Sequence, residues 1–480
     1  MKKILILLGT SFTLSACGGG AGETTLPSAT TSATQTPSAT SSPTATSTPS
    51  VTSPAVSTPT AMPTAGLTHT PTPQASSTPT VTSIPTVSPS PTSRPTASNT
   101  PTPTQAASAT PTATPTPSKV STPTPTTVAS SCTSTTFAGK SRILIGAQME
   151  DSTATSAPFD VRYRYLASSA APNSCLNSCS AACGSWWGCW QDQTKAPGQY
   201  VLSHISTSLA NSQIPMFTYY IQLNTAGNVE GASQVGKLND AALMKRYFDD
   251  WRFLLQTIGS NKTILHIEPD LWGFVRQANS NPSLVPAVVQ SANSDCPTYE
   301  NSAAGMAQCM IAMARKYAPN SLVGLHVSPW NFQNSSDAVT SGTFMKALGA
   351  ANGDFVASDP SDRDAGYYET VKGNAAAWWD ETKAKQYLAW SKTLAETVGK
   401  PTVLWQVPLG NAAQNNTKNH YKDNRVDWLF ANASSVASAH IAGLFFGAGQ
   451  EEQTTPETDG GNLIAKTHSH IKAGGQPLCR

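Results

Sequence analysis

Eight short apolar runs, each followed by a stretch that can form a helix, constrain this chain more than any other feature. The runs are residues 142–148 (RILIGAQ), 161–166 (VRYRYL), 215–222 (PMFTYYIQ), 264–267 (ILHI), 322–327 (LVGLHV), 354–358 (DFVAS), 402–407 (TVLWQV) and 442–447 (AGLFFG). Helical patterns fall at 197–211, 238–258, 305–317, 342–350, 380–398, 425–437 and 461–472. In 238–258, Leu243, Tyr247, Trp251 and Leu254 share one face. Short, continuously apolar strands are covered on both faces, as parallel strands are. Eight of them alternating with helices make an α/β fold, a (β/α)8 TIM-type barrel, the expected architecture. The rival is an open doubly wound sheet, which would carry a glycine-rich turn after its first strand. Here that place reads Gly146-Ala147-Gln148-Met149.

Composition sets the boundaries. Residues 24–131 contain no Phe, Trp or Tyr, and their only charged residues are Arg94 and Lys119; all 11 Trp lie beyond them. Such a segment cannot bury enough apolar surface to offset backbone entropy. Residues 17–131 are therefore expected to be a disordered Thr/Ser/Pro-rich linker, and residues 132–480 the barrel. Setting aside Lys2, Lys3, Arg94, Lys119 and Glu23, the folded part carries 26 basic and 27 acidic residues. It has neither a basic footprint for nucleic acid nor a polybasic membrane patch. A monomer without a cofactor is expected.

At the N-terminus, Lys2 and Lys3 precede an apolar run and Leu14-Ser15-Ala16-Cys17. This resembles a bacterial lipoprotein signal over residues 1–16, which implies lipidation of Cys17 and anchoring to the extracellular face of the membrane; plain secretion is the alternative. Eight cysteines remain, an even number for an exported chain, so disulfides in long loops are expected rather than a metal site. Cys175, Cys179, Cys183 and Cys189 crowd one loop, Cys296 and Cys309 flank a short segment, and Cys132 and Cys479 stand at the ends of the folded part.

A barrel gathers the residues that follow its strands onto one face. Those residues include Gln148, Glu268, Asp270, Trp272, His326, Trp330, Asp359, Gln406 and Glu451. Indole faces stack on sugar rings, while carboxylates and amides bind hydroxyls. Glycoside hydrolysis needs two carboxyl groups flanking the bond. Glu268, between Ile267 and Pro269, is the expected general acid, because burial there would raise its pKa. Asp359 is its expected carboxylate partner. Asp270, Trp272, His326, Trp330, Gln406, Gln148 and Glu451 are expected to bind substrate. The chain carries no G-x-S-x-G elbow, H-E-x-x-H pair or P-loop, and no metal site is read from its spacings.

Ile267-Glu268-Pro269-Asp270 resembles the I-E-P-D strand end of family six cellulases, which are exported, inverting β-1,4-glucanases with a distorted barrel. The loop from Gly447 to Gly461 and the bracket of Cys296 and Cys309 are also similar. The match covers about a tenth of the folded part. The resemblance implies a proton-donating Asp after the preceding strand, but that place reads Ile221-Gln222-Leu223-Asn224-Thr225, with no carboxylate. Another large group of barrel glycosidases has a nucleophilic Glu at the end of strand seven, where this chain has Gln406. The expected function is an exported glycoside hydrolase acting on a polysaccharide, with β-glucan or hemicellulose favoured. The alternative is a surface protein that binds polysaccharide without cleaving it.

Overall fold

The computed structural model describes residues 136–478 apart from 173, 175, 177, 178, 180–185, 190–193 and 195. The signal, Cys17, the linker, Cys132, Cys175, Cys183 and Cys479 lie outside the described residues. Eight parallel strands close on themselves in chain order. They are β1 (Leu144–Ala147), β2 (Val161–Ala167), β3 (Ile214–Tyr220), β4 (Ile264–Ile267), β5 (Leu322–His326), β6 (Phe355–Ser358), β7 (Thr402–Val407) and β8 (Ile441–Phe446). The seam joins β1 to β8, with Leu144 opposite Gly443 and Ala147 opposite Phe446. Every strand residue is buried except Arg164, Tyr165 and Ala167 of β2, Tyr220 of β3 and Leu322 of β5, as continuous apolar runs require. The chain is a (β/α)8 barrel, and the open sheet is ruled out by that seam.

The helices follow from local chemistry. The expected helix at 238–258 begins at Ala241, because the Asp240 carboxylate accepts from the amides of Ala242 (2.9 Å) and Leu243 (3.0 Å). An N-cap of this kind starts a new helix, so residues 232–237 form a separate short one. Leu243, Tyr247, Trp251 and Leu254 are all buried. Asp380 caps Glu381–Val398, and Gly399 ends it at φ 77°, a conformation glycine adopts without strain. Helices Leu271–Ala278 and Ala365–Lys372 were not expected from the sequence.

Two disulfides are described, Cys179–Cys189 and Cys296–Cys309. The first lies in the cysteine-rich loop, which is held to the barrel by a buried carboxylate. Asp250 accepts from the indoles of Trp186 (2.8 Å) and Trp187 (2.9 Å) and from the Tyr219 hydroxyl (2.8 Å). Burial pushes Asp250 up to about 6, while those donors pull it down.

Candidate active site

The chain leaves β4 through two left-handed residues, Glu268 at φ 48° and Asp270 at φ 64°, on either side of Pro269. Non-glycine residues seldom adopt this conformation, and it costs on the order of 1–2 kcal/mol each. It also breaks strand alternation. His266 points into the barrel, where it meets His326 and Trp405. Continued alternation would send Glu268 the same way, but the turn sends it outward instead.

Glu268 is fully buried. Its Oε1 accepts from the amides of Ile221 (3.1 Å) and Gln222 (3.3 Å), with the Tyr247 hydroxyl beside the carboxyl group. Burial pushes it up to about 8, and these donors oppose the shift. The expected rise in pKa is present, but the group closes the backbone after β3 and faces away from the His266 side of the strand.

The structure brings Asp270, His326 and Asp359 together. One ligand-type atom from each lies within 4.8 Å of the other two. His326 Nε2 is 3.1 Å from Asp359 Oδ1, and Asp270 Oδ1 accepts from Ser328 Oγ at 3.4 Å. Asp270 is pushed up to about 7, mainly by burial. His326 opposes that shift, whereas Asp359, Glu230 and Asp362 add to it. Two carboxyl groups beside one imidazole can divide acid and base roles, and the three could equally hold one divalent cation. The sequence reading anticipated no metal constellation, because the three residues come from three different strand ends.

Trp330 is 44% exposed and packs on Phe274 with ring centroids 5.0 Å apart. A Cβ at Gly273 would come within 2.7 Å of Trp330 and 2.9 Å of Ser328 Oγ. The glycine therefore lets this indole lie beside the serine that touches Asp270. Trp272 corrects the expectation for it. It is 1% exposed, and its indole donates to Ile267 O at 3.1 Å, so its faces pack in the core and offer no platform to a sugar.

Gln406, at φ 55°, accepts from the Tyr165 hydroxyl at 2.9 Å, and Gly449 packs against its amide. Gln148 is half-buried at the end of β1, where its backbone amide donates to Phe446 O at 2.9 Å. Glu451 is exposed on the rim, where its carbonyl accepts from Arg363 at 3.1 Å. Neither is joined to the Asp270–His326–Asp359 group by a described hydrogen bond. The sequence reading missed His266 as part of the site. It also missed Glu230, which follows β3 beyond the five residues searched for a carboxylate.

No family model matches the chain, and no curated protein matches it. Among solved structures, it is similar to a modular endo-β-1,4-mannanase from Cellulomonas fimi, with 12% identity, TM-score 0.43, and 69% of this chain and 70% of that one covered. It is also similar to an engineered protein, with 10% identity, TM-score 0.44 and 68% and 69% covered. A third is endo-glycoceramidase II from Rhodococcus sp., with 9% identity, TM-score 0.40 and 69% and 79% covered. Likenesses this distant carry no argument about the reaction.

Proposed function

We propose that the chain is an exported glycoside hydrolase that cleaves O-glycosidic bonds in a polysaccharide, with Asp270 as general acid and Asp359 as its carboxylate partner. The observation that carries this reading is the asymmetry of the pair. Asp270 is held near 7 by burial and by the neighbouring carboxylates, so it keeps a proton to donate at neutral pH. Asp359 lies against the imidazole of His326, which suits a carboxylate that activates water or attacks. Trp330, exposed beside Ser328 and Asp270, supplies a face for a sugar ring. The lipoprotein-like start and the long Thr/Ser/Pro-rich segment fit a catalytic domain anchored through Cys17 on a tether that reaches insoluble polymer. The I-E-P-D resemblance favours β-glucan or hemicellulose.

The test is release of reducing ends from β-glucans, xylan, mannan, chitin and peptidoglycan by wild type, Asp270→Asn, Asp359→Asn and Glu268→Gln. Release by wild type and Glu268→Gln, with loss in both Asp variants, is the expected result. Retention on a polymer without release would establish the binding-protein alternative. A second reading, a metal-assisted hydrolase, is favoured by the convergence of Asp270, His326 and Asp359 within 4.8 Å. Loss of turnover in a chelator, restored by Zn²⁺ or Mn²⁺, would select it.

A further inference from the structure

A column of hydrogen bonds runs from the barrel interior to the mouth. Thr218 Oγ1 is 3.2 Å from His266 Nδ1, His266 Nε2 is 3.2 Å from His326 Nδ1, and His326 Nε2 is 3.1 Å from Asp359 Oδ1. Thr218 and His266 are fully buried and His326 is 1% exposed. Between neutral rings, such a column has two directions. Either every hydrogen points toward Asp359, whose Oδ1 then accepts from His326, or every hydrogen points toward Thr218, and Asp359 must donate to His326.

The threonine decides between them. Among the described residues, His266 Nδ1 is the one hydrogen-bond partner given for the Thr218 hydroxyl. If His266 donated to it, the hydroxyl hydrogen would be left buried without an acceptor, which is strongly unfavourable. Thr218 therefore donates.

We infer that Thr218 is a positioning residue that fixes His266 and His326 in the Nε2–H form and so makes His326 the donor to Asp359. The inference rests on the reading of Asp359 as base or nucleophile, and extends it to a residue that touches no substrate. Both imidazoles then leave Nδ1 bare to accept. His266 suits the neutral state this requires, because burial and the neighbouring His326 hold it well below the usual histidine range. The groups that face the column are Asp270 after β4, Asp359 after β6 and Trp405 on β7, with Glu230 and Asp362 acting on Asp270 from farther out.

The test uses the full-length chain, labelled with ¹⁵N-histidine, in detergent micelles. Long-range ¹H–¹⁵N spectra at pH 7, assigned by substituting each histidine in turn, are expected to show His266 and His326 both protonated on Nε2 and bare on Nδ1. Thr218→Val keeps the shape and removes the donor, so both rings should lose that single form. Thr218→Ser should retain it. On a cleavable polymer, kcat should fall about fivefold in Thr218→Val with KM little changed, and return in Thr218→Ser. A proton on Nδ1 of either ring in the wild type overturns the inference, as does a Thr218→Val spectrum unchanged from wild type. The spectra need no turnover. If they come out as expected and no polymer is cleaved, the column stands and the glycosidase reading falls.

Discussion

Glu268→Gln separates burial from chemistry at one position. In the folded chain Glu268 is fully buried and pushed from 4.5 up to about 8. In the unfolded chain it ionises near its ordinary value. Between those two values the folded state holds a proton that the unfolded state has released, so stability falls as pH rises through that window and levels off above about 8. Each pH unit is worth about 1.4 kcal/mol, so the whole window amounts to about 5 kcal/mol, most of it realised by pH 8. Glutamine has nearly the same shape and offers a carbonyl oxygen to the amides of Ile221 and Gln222, but it does not titrate. The variant should match the wild type within about 1 kcal/mol at pH 5 and exceed it by roughly 4 kcal/mol at pH 8. Urea denaturation of both proteins at pH 5, 6.5 and 8 reads the difference directly. A difference that stays constant with pH would refute the burial argument. A hundredfold or greater loss of turnover in the same variant would refute the placement of Glu268 outside the reacting centre.

Other expectations are open to simpler assays. Asp270→Asn should lower kcat by about 10²–10⁴-fold while the protein still sediments with its polymer; loss of both together would indicate a binding or folding role. Trp330→Ala should weaken polymer retention by roughly 1 kcal/mol with little change in thermal midpoint, because the ring is half exposed; unchanged retention removes it as a platform. Asp250→Ala should destabilise the barrel by about 2–4 kcal/mol, since it leaves two buried indoles without their acceptor and the Tyr219 hydroxyl with only Tyr247 O at 3.3 Å. A variant within 0.5 kcal/mol of wild type in denaturant would contradict that.

The barrel was legible because it is written in repeated local patterns. The eight apolar runs match the eight strands to within two residues at every end. Helix boundaries shifted where single polar residues intervened. Asp240 restarts one helix, and Asn432 divides the expected 425–437 segment into Arg425–Ala431 and Ala433–Ser438. The site was legible as a list but not as an arrangement. Asp270 and Asp359 do follow their strands, and His326 is the last residue of β5. Which of Glu268 and Asp270 faces the mouth depends on two positive φ angles around Pro269, and no periodicity in the sequence signals a reversal of that kind. Trp272 was misplaced because this same turn starts a helix, and that helix carries the indole into the core. The Thr218–His266–His326 column escaped notice because threonine and histidine inside apolar strands read as ordinary barrel filling.

The seam between β1 and β8 has a consequence for how the protein is made. Leu144 pairs with Gly443, nearly three hundred residues later in synthesis. Until the last strand is available, β1 and β7 each present an unpaired edge, and open edges of this kind recruit other chains. Closing so long a loop also makes the final step slow relative to the local helices and neighbouring strand pairs. A product ending before Ile441 would keep the Asp270–His326–Asp359 residues yet have no closed barrel to hold them. Truncation near the C-terminus should therefore yield aggregates rather than a weakened enzyme.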